Sequence, residues 1–176
     1  MSIKLKIAGF YLKRRLKKQK RLLLTHNFNT SKYVGILFNS PNDKSFEAIK
    51  DFMSFLSQKN IKVISLGYIA SKKIPENFLM RKGFNFYCNK DFNWYYKPKN
   101  EIIDQFIEQP FDILFDLSLK DYFTTNFVCN LSNASFKIGR QSENSSHDLV
   151  FDITKNQSVE YLIEQIKYYL NIINNS

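Results

Sequence analysis

The sequence predicts an α/β fold: a single three-layer, Rossmann-like domain with a mostly parallel sheet of five or six strands, preceded by a basic N-terminal helix. Three observations lead to this prediction. Short apolar runs alternate with amphipathic segments from residue 33 onward, and no Pro-, Gly- or Ser-rich linker interrupts them. The length of 176 residues suffices for one domain with a sizeable core.

Each element follows from its own pattern. Apolar runs predict strands at 33–39, 61–68, 84–88, 111–117, 135–139 and 149–153. Amphipathic segments predict helices at 45–57, 75–81, 101–108, 120–131 and 158–174. In the last helix, Ser158 is placed to cap the N-terminus and Glu160 lies in the first turn, where an acid is favourable.

The charge is concentrated at the N-terminus. Nine of the 26 Lys and Arg residues lie in the first 24 residues with no acid among them, and the rest of the chain holds 17 basic and 16 acidic residues. The predicted organisation is a basic helical arm over 1–24 and an α/β domain over 25–176, with the boundary at 25–31. Concentrated cations release counterions on meeting phosphate, so the arm favours a polyanionic partner.

The arm is predicted to form an amphipathic helix over 10–24. Its leucines form a narrow stripe, and the cations occupy a broad arc that leaves the stripe clear. The candidate polyanion-binding residues are Lys13, Arg14, Arg15, Lys17, Lys18, Lys20 and Arg21. Three interpretations remain open: a solvated basic face whose leucines dock on the domain, a nucleic-acid site, and a site for an anionic membrane surface. A stripe this narrow favours RNA over lipid, because membrane-surface helices need a broad apolar face.

A second candidate contact segment spans residues 90–100, KDFNWYYKPKN. It interleaves aromatic rings with lysines, a combination that stacks bases and holds phosphate in proteins that bind single strands. The residues proposed for ligand or partner contact are Trp94, Tyr95, Tyr96, Lys97 and Lys99. The alternative is that Phe92 and Trp94 alternate into the core while the tyrosines cover an edge.

The expected ligand rim of a doubly wound sheet lies beyond the carboxyl ends of its strands. It would carry Asn39, Ser40, Asn42, Tyr68, Asp116 and Ser118. Asn42 is better explained as a turn or helix-cap residue. Asp112 and Asp116 point to one side of a strand, and a carboxylate pair can do acid–base work. Capping of the following helix is the more ordinary role for such aspartates.

Several classes of function are disfavoured. The chain has neither GxGxxG nor a Walker motif, so we expect no nucleotide cofactor, and no small-molecule substrate can be identified. Cys88 and Cys129 fit a core, and no CxxC or Cys/His cluster is visible, so no metal site is expected. His26 and His147 have no obvious partner. Without a secretory signal or a long apolar segment, the expected location is the cytoplasm.

The run FDILFDLSLKDYFTTNFVCNLSNASFKIGR, residues 111–140, resembles part of the N-terminal half of heptosyltransferase-type glycosyltransferases. This resemblance implies a Rossmann-like half domain. It does not imply transfer chemistry, because FNSPND stands where that family has a Gly-Asp loop with the catalytic aspartate, and the nucleotide-sugar-binding domain is missing.

Nearly the whole chain is similar to an uncharacterised family of short bacterial proteins of unknown function. The similarity rests on the basic N-terminal helix, IPENFLMRKGFNFYCNKDFNWYYKPKN, FDILFDLSLKDYF and YLIEQIKYYL. It implies a single compact unit.

Together these features predict a non-enzymatic cytoplasmic protein that docks through its basic helix onto structured RNA, such as a ribosomal particle. The alternatives are a peripheral protein on anionic lipid and a degenerate glycosyltransferase-like domain that binds a sugar or nucleotide. Because the apolar faces that are predicted to form the core all lie after residue 24, the domain is expected to fold without residues 1–24.

Overall fold

The sheet is doubly wound. The structure, a computed structural model, describes residues 3–143 and 146–173. Its strands are β1 (Tyr33–Asn39), β2 (Lys62–Ile69), β3 (Asn85–Cys88), β4 (Ile113–Asp116), β5 (Phe136–Arg140) and β6 (Leu149–Phe151). Their order across the sheet is β3-β2-β1-β4-β5-β6, and every neighbouring pair is parallel. The predicted Rossmann-like α/β fold is therefore confirmed, with its topological switch point between β1 and β4.

The helices follow the predicted pattern closely. They are α1 (Ile3–Leu16), α2 (Asp43–Gln58), α3 (Glu76–Leu79), α4 (Glu101–Glu108), α5 (Phe123–Leu131) and α6 (Val159–Ile172), with a 3₁₀ turn at Asn89–Asp91. Asn42 caps α2 by accepting from the Ser45 amide at 2.8 Å, and Ser158 caps α6 by accepting from the Tyr161 amide at 3.2 Å. The cap roles of Asn42 and Ser158 are therefore confirmed.

Each face of the sheet has its own core. Successive side chains of a strand point to opposite faces, and in β1 Ile36 and Phe38 face α2 and α6 while Leu37 faces α4 and α5. Strands buried on both faces are continuous apolar runs. That is why the sequence locates them so well.

The N-terminal arm packs on the α5 face of the sheet. The Tyr11 ring of α1 stacks on Phe127 of α5, with ring centroids 6.0 Å apart, and Leu12 and Leu16 pack against the same core. The prediction of a helix over 10–24 is wrong in its bounds. The helix spans Ile3–Leu16. The next three backbone amides still donate to carbonyls of its last turn, and side chains from residue 19 onward bind distant parts of the chain. The Gln19 side chain, for example, donates to the backbone carbonyl of Ser132 at 3.0 Å.

Hydrogen bonds also fix the link between the arm and the domain, residues 25–31, to the rest of the chain. The Leu24 amide donates to the carbonyl of Ser135 at 3.2 Å, and the Asn27 side chain donates to the carbonyl of Ile173, just past α6, at 2.8 Å. Phe28 is buried in the core between the sheet, α2 and α6. The arm therefore packs on one face of the sheet and the link on the other. Among the described residues, no helix is both long and apolar enough to cross a membrane.

Candidate functional site

Side chains of the rim at the switch point bind neighbouring loops of the chain. The Asn39 amide donates to the carbonyl of Lys120 at 2.7 Å, which links the loops that follow β1 and β4. Ser40 accepts from the amide of Ala70 at 3.1 Å. The Tyr68 hydroxyl donates to Asn89. These three expected rim residues therefore hold the loops at this edge of the sheet together.

A cavity of about 310 Å³ lies farther along the rim, beyond β5 and β6. Its one guanidinium, that of Arg140, donates to the carbonyl of Ser118 at 2.9 Å and to Asp121 at 2.6 Å. Because the Arg140 guanidinium is already paired with these groups, it attracts an anionic ligand less strongly.

Three reactive side chains meet under this rim, on the α5 face of the sheet. Asp116 ends β4, Cys129 lies in α5 and His147 lies between β5 and β6. Their ligand-type atoms all lie within 4.8 Å of one another. The side chains of His147 and Asp116 are only 2% and 5% exposed, and Cys129 is fully buried.

The two ring nitrogens of His147 have different oxygen neighbours. Nδ1 lies 3.1 Å from the carbonyl of Arg140, and Nε2 lies 3.1 Å from a carboxylate oxygen of Asp116. Burial by itself lowers the pKa of His147, but interactions with Cys129 and Asp116 outweigh it and raise the pKa to about 10. A ring that holds its proton this strongly is a poor general base for Cys129.

The sequence carries no local signal for this cluster, because the three residues are separated by 13 and 18 positions along the chain. From the sequence alone, Cys129 is predicted to lie in the core and no partner is indicated for His147. Asp112, the other half of the proposed carboxylate pair, lies at the opposite end of β4. It accepts from the amides of Lys32 and Tyr33 at 2.7 and 2.9 Å. The two aspartates do not form one site.

The cations of the arm divide into two groups. Arg15 pairs with Asp104 of α4 at 3.1 Å, and Arg21 pairs with Asp148. These two ion pairs tie the arm to the domain. The remaining cations of the arm are exposed: Lys4, Lys6, Lys13, Arg14, Lys17, Lys18 and Lys20.

The aromatic segment forms a tight turn. Phe92 and Pro98 pair across its base, and the Asn93 side chain accepts from the amides of Tyr95 and Lys97 at 3.1 and 2.9 Å. Tyr96 has a φ of +62°, a conformation that costs a bulky residue energy and persists only where its surroundings impose it. The turn directs the Trp94 ring outward, where it is 61% exposed.

The other rings of the turn are partly covered. Tyr95 and Tyr96 are half-buried, and Tyr96 packs on Phe123 with ring centroids 5.0 Å apart. Lys97 and Lys99 are exposed. Of the three aromatic residues proposed for contact, Trp94 is therefore the one that presents most of its ring to solvent.

The structure brings the two predicted contact segments together. Tyr11 of α1 meets Tyr95 edge-on at a centroid distance of 6.5 Å, and Tyr95 meets Trp94 edge-on at 5.1 Å. The exposed cations of the arm and the rings and lysines of the turn form what we call the arm–turn surface. It consists of Lys4, Lys6, Lys13, Arg14, Lys17, Lys18, Lys20, Trp94, Tyr95, Lys97 and Lys99.

The parallel, doubly wound sheet and the basic arm docked on its α5 face define a Rossmann-like α/β protein. The chain belongs to a family of unknown function (DUF6913), whose model matches residues 4–173. The similarity to an uncharacterised family is thereby shown, and the resemblance to heptosyltransferase-type enzymes is not. No curated protein matches the chain.

Proposed function

We propose that this protein is a non-enzymatic cytoplasmic protein that docks onto structured RNA, such as a ribosomal particle, through the arm–turn surface. The observation that carries the proposal is the contact between Tyr11 and Tyr95, because it places an exposed tryptophan beside a helix rich in free cations. Cations that neutralise phosphates supply affinity, and an exposed ring adds stacking on an unpaired base.

The electrostatics of the arm support a phosphate partner. Seven exposed cations lie within residues 4–20, and no acidic residue lies among the first 24. The two arginines that pair with Asp104 and Asp148 hold the arm in place. A preordered arm loses less conformational entropy on binding than a free one.

The test is the salt dependence of RNA binding. In the arm variant, Lys13, Arg14, Lys17, Lys18 and Lys20 are all replaced by Gln. In the matched control, the same number of exposed body lysines is replaced by Gln: Lys50, Lys72, Lys73, Lys82 and Lys155. Both variants lose the same charge. We expect log Kd for a structured RNA to rise with log[salt] by ~0.7–0.9 per phosphate contacted, and only the arm variant to lose most of this slope. Equal losses in the two variants would mean that net charge alone attracts RNA.

A specific observation favours a second candidate, an anionic membrane surface. The outward face of α1 carries Ile3, Ile7 and Phe10, spaced four and three residues apart, and Ile3 and Phe10 are 75% and 70% exposed. An exposed apolar stripe beside lysines is typical of helices that lie on lipid.

The two candidates can be separated with one further variant. Replacing Ile3, Ile7 and Phe10 by Ser removes the apolar stripe and keeps every cation. If RNA is the partner, this variant retains RNA binding, and the wild-type protein binds vesicles of anionic phospholipid weakly at the same salt concentration. Tight vesicle binding that this variant loses, together with negligible RNA affinity, would establish the lipid alternative instead.

A further inference from the structure

The buried cluster of Asp116, Cys129 and His147 has the composition of a metal site. A carboxylate, a thiol and an imidazole are the three side-chain types that bind zinc in proteins. They come from β4, from α5 and from the segment between β5 and β6, so three separate parts of the fold converge on one point. Two ligand atoms bound at ~2.0–2.3 Å to one tetrahedral ion lie ~3.3–3.8 Å apart. The His147 and Asp116 atoms, 3.1 Å apart, are already near this separation. No pair in the cluster is more than 4.8 Å apart, so the remaining distances need to shorten by at most ~1 Å on binding.

The orientation of His147 suits metal binding. Zinc-bound histidines usually donate the hydrogen of their other ring nitrogen to a carbonyl or carboxylate, which fixes the ring and its tautomer. Here Nδ1 faces the carbonyl of Arg140 at 3.1 Å, so Nε2 is the nitrogen directed at Asp116. Gly139 makes room for this ring. A Cβ at Gly139 would lie 2.5 Å from Cε1 of His147.

The surroundings contain buried polar groups without ordinary hydrogen bonds. The fully buried Tyr87 interacts electrostatically with Asp116 and Cys129. Its hydroxyl lies near that of Thr125, yet neither hydroxyl makes a hydrogen bond of regular geometry within the described part of the chain. The hydroxyl of Ser118, two residues after Asp116, is likewise buried and unsatisfied there. Unsatisfied buried polar groups are costly, and their concentration here points to an additional polar occupant.

The charges of the three side chains also favour a bound metal cation. A divalent cation would neutralise the two negative charges of a carboxylate and a thiolate. Its binding would also release the proton that His147 otherwise holds, because a metal-bound imidazole is neutral. Buried charges in proteins are normally paired or bound to a metal. Three protein ligands would leave the fourth position of a tetrahedral ion to water or to a nearby hydroxyl.

We propose that Asp116, Cys129 and His147 bind a divalent transition-metal ion of the zinc class. Because the site is closed to solvent, its role is structural: the ion joins α5 and the segment that carries His147 to the end of β4. Sequence spacing could not reveal the site, since it lacks the paired short-range ligands of CxxC-type motifs.

The test uses the full-length protein, reduced and stripped of metal with a chelator, and Co²⁺ as the probe. A thiolate bound to Co²⁺ gives an intense near-ultraviolet charge-transfer band. We expect this band to saturate at one equivalent, to be displaced by Zn²⁺, and to accompany a rise in the thermal unfolding temperature. Failure of the reduced wild-type protein to give the band would overturn the proposal.

Single substitutions then show which side chains bind the metal. Cys129→Ser should abolish the band, whereas the matched control Cys88→Ser should retain it, because Cys88 is also buried but lies at the end of β3. Asp116→Asn and His147→Gln should each weaken Co²⁺ binding by more than the ~10–100-fold typical of losing a residue that only orients a ligand. A band that survives Cys129→Ser but is lost in Cys88→Ser would assign the metal elsewhere. If Cys129→Ser fails to fold, the titration of the wild type and of Asp116→Asn still decides the question.

Discussion

Tyr11 and Tyr95 meet edge to face, with their ring centroids 6.5 Å apart and their planes at 85°. The two residues are 84 positions apart, and they belong to the segments that the sequence singled out separately. Tyr11 also stacks on Phe127 in the core, so the contact is anchored from one side. The basic helix and the aromatic turn therefore lie side by side, and under the proposed function substitutions in either should weaken the same RNA binding.

The exposed ring of Trp94 is the first point to test on this surface. Trp94→Ala should weaken RNA binding by roughly 5- to 150-fold, the equivalent of ~1–3 kcal/mol of lost stacking on one base. The thermal unfolding temperature should change little, since most of the ring contacts solvent. Fluorescence titration of the wild type and filter binding of both proteins provide the measurements.

The matched control for this prediction is Tyr168→Ala. Tyr168 is an equally exposed aromatic residue on α6, outside the arm–turn surface. The Tyr168→Ala substitution should leave RNA affinity unchanged. If both substitutions weaken RNA binding alike, exposed aromatic area in general is responsible, and the assignment of the turn fails.

The sequence predicts some parts of this molecule far better than others, for physical reasons. The sequence locates both ends of β1 correctly, because a strand buried on both faces is a continuous apolar run bounded by polar residues. It does not locate the end of α1, where Gln19 bonds to residues more than 110 positions away. Asp116 and His147 pose the same difficulty, since only the packing of α5 and the sheet brings them together.

Gln19 holds the end of the arm against the domain. Its amide donates to the carbonyls of Leu131 and Ser132 and to the side chain of Asn133, and so provides partners for carbonyls at the C-terminal end of α5. Gln19→Ala should lower the free energy of unfolding by ~1–2 kcal/mol. It should also speed tryptic cleavage within residues 17–21. The control Gln157→Ala removes an exposed glutamine, and it should alter neither quantity. Digestion at the wild-type rate in Gln19→Ala would show that other contacts hold the arm.

Lys137 should impose a distinctive pH dependence on stability. It is buried beneath α5, and its Nζ donates to the backbone carbonyl of Asn130 at 2.8 Å, in the last turn of that helix. Burial lowers the pKa of Lys137 from 10.5 to about 8, with smaller effects from Cys129, Arg21 and Asp148. Between these two pH values the unfolded chain holds a proton that the folded chain has released. The contribution of Lys137 to stability therefore rises as the pH increases from 8 to 10.5, and it is lost as the pH falls back to 8.

The comparison with Lys137→Met isolates this effect, because the other titrating groups are common to both proteins. The wild type should lose up to ~3 kcal/mol relative to the variant as the pH falls from 10.5 to 8, and little more below that. Urea unfolding at a series of pH values gives the difference directly. A difference independent of pH would mean that Lys137 keeps its proton in the folded state.

The last prediction concerns two glycines that differ in what surrounds them. At Gly139 an added Cβ would lie 2.5 Å from Cε1 of His147, whereas at Gly9, in the middle of α1, no heavy atom lies within 4 Å of the same position. The His147 ring cannot move away cheaply, because it is buried and bound at both nitrogens. Gly139→Ala should therefore lower the free energy of unfolding by at least the ~1–3 kcal/mol of ordinary overpacking, and it should break the contact between His147 and Asp116. Gly9→Ala should instead raise the free energy of unfolding by up to ~1 kcal/mol, because Ala has a higher helix propensity than Gly.

Chemical denaturation measures both changes in the free energy of unfolding, and the ring resonances of His147 report whether its environment is altered. If Gly139→Ala is as stable as the wild type and leaves those resonances unshifted, His147 does not lie against Gly139 as described.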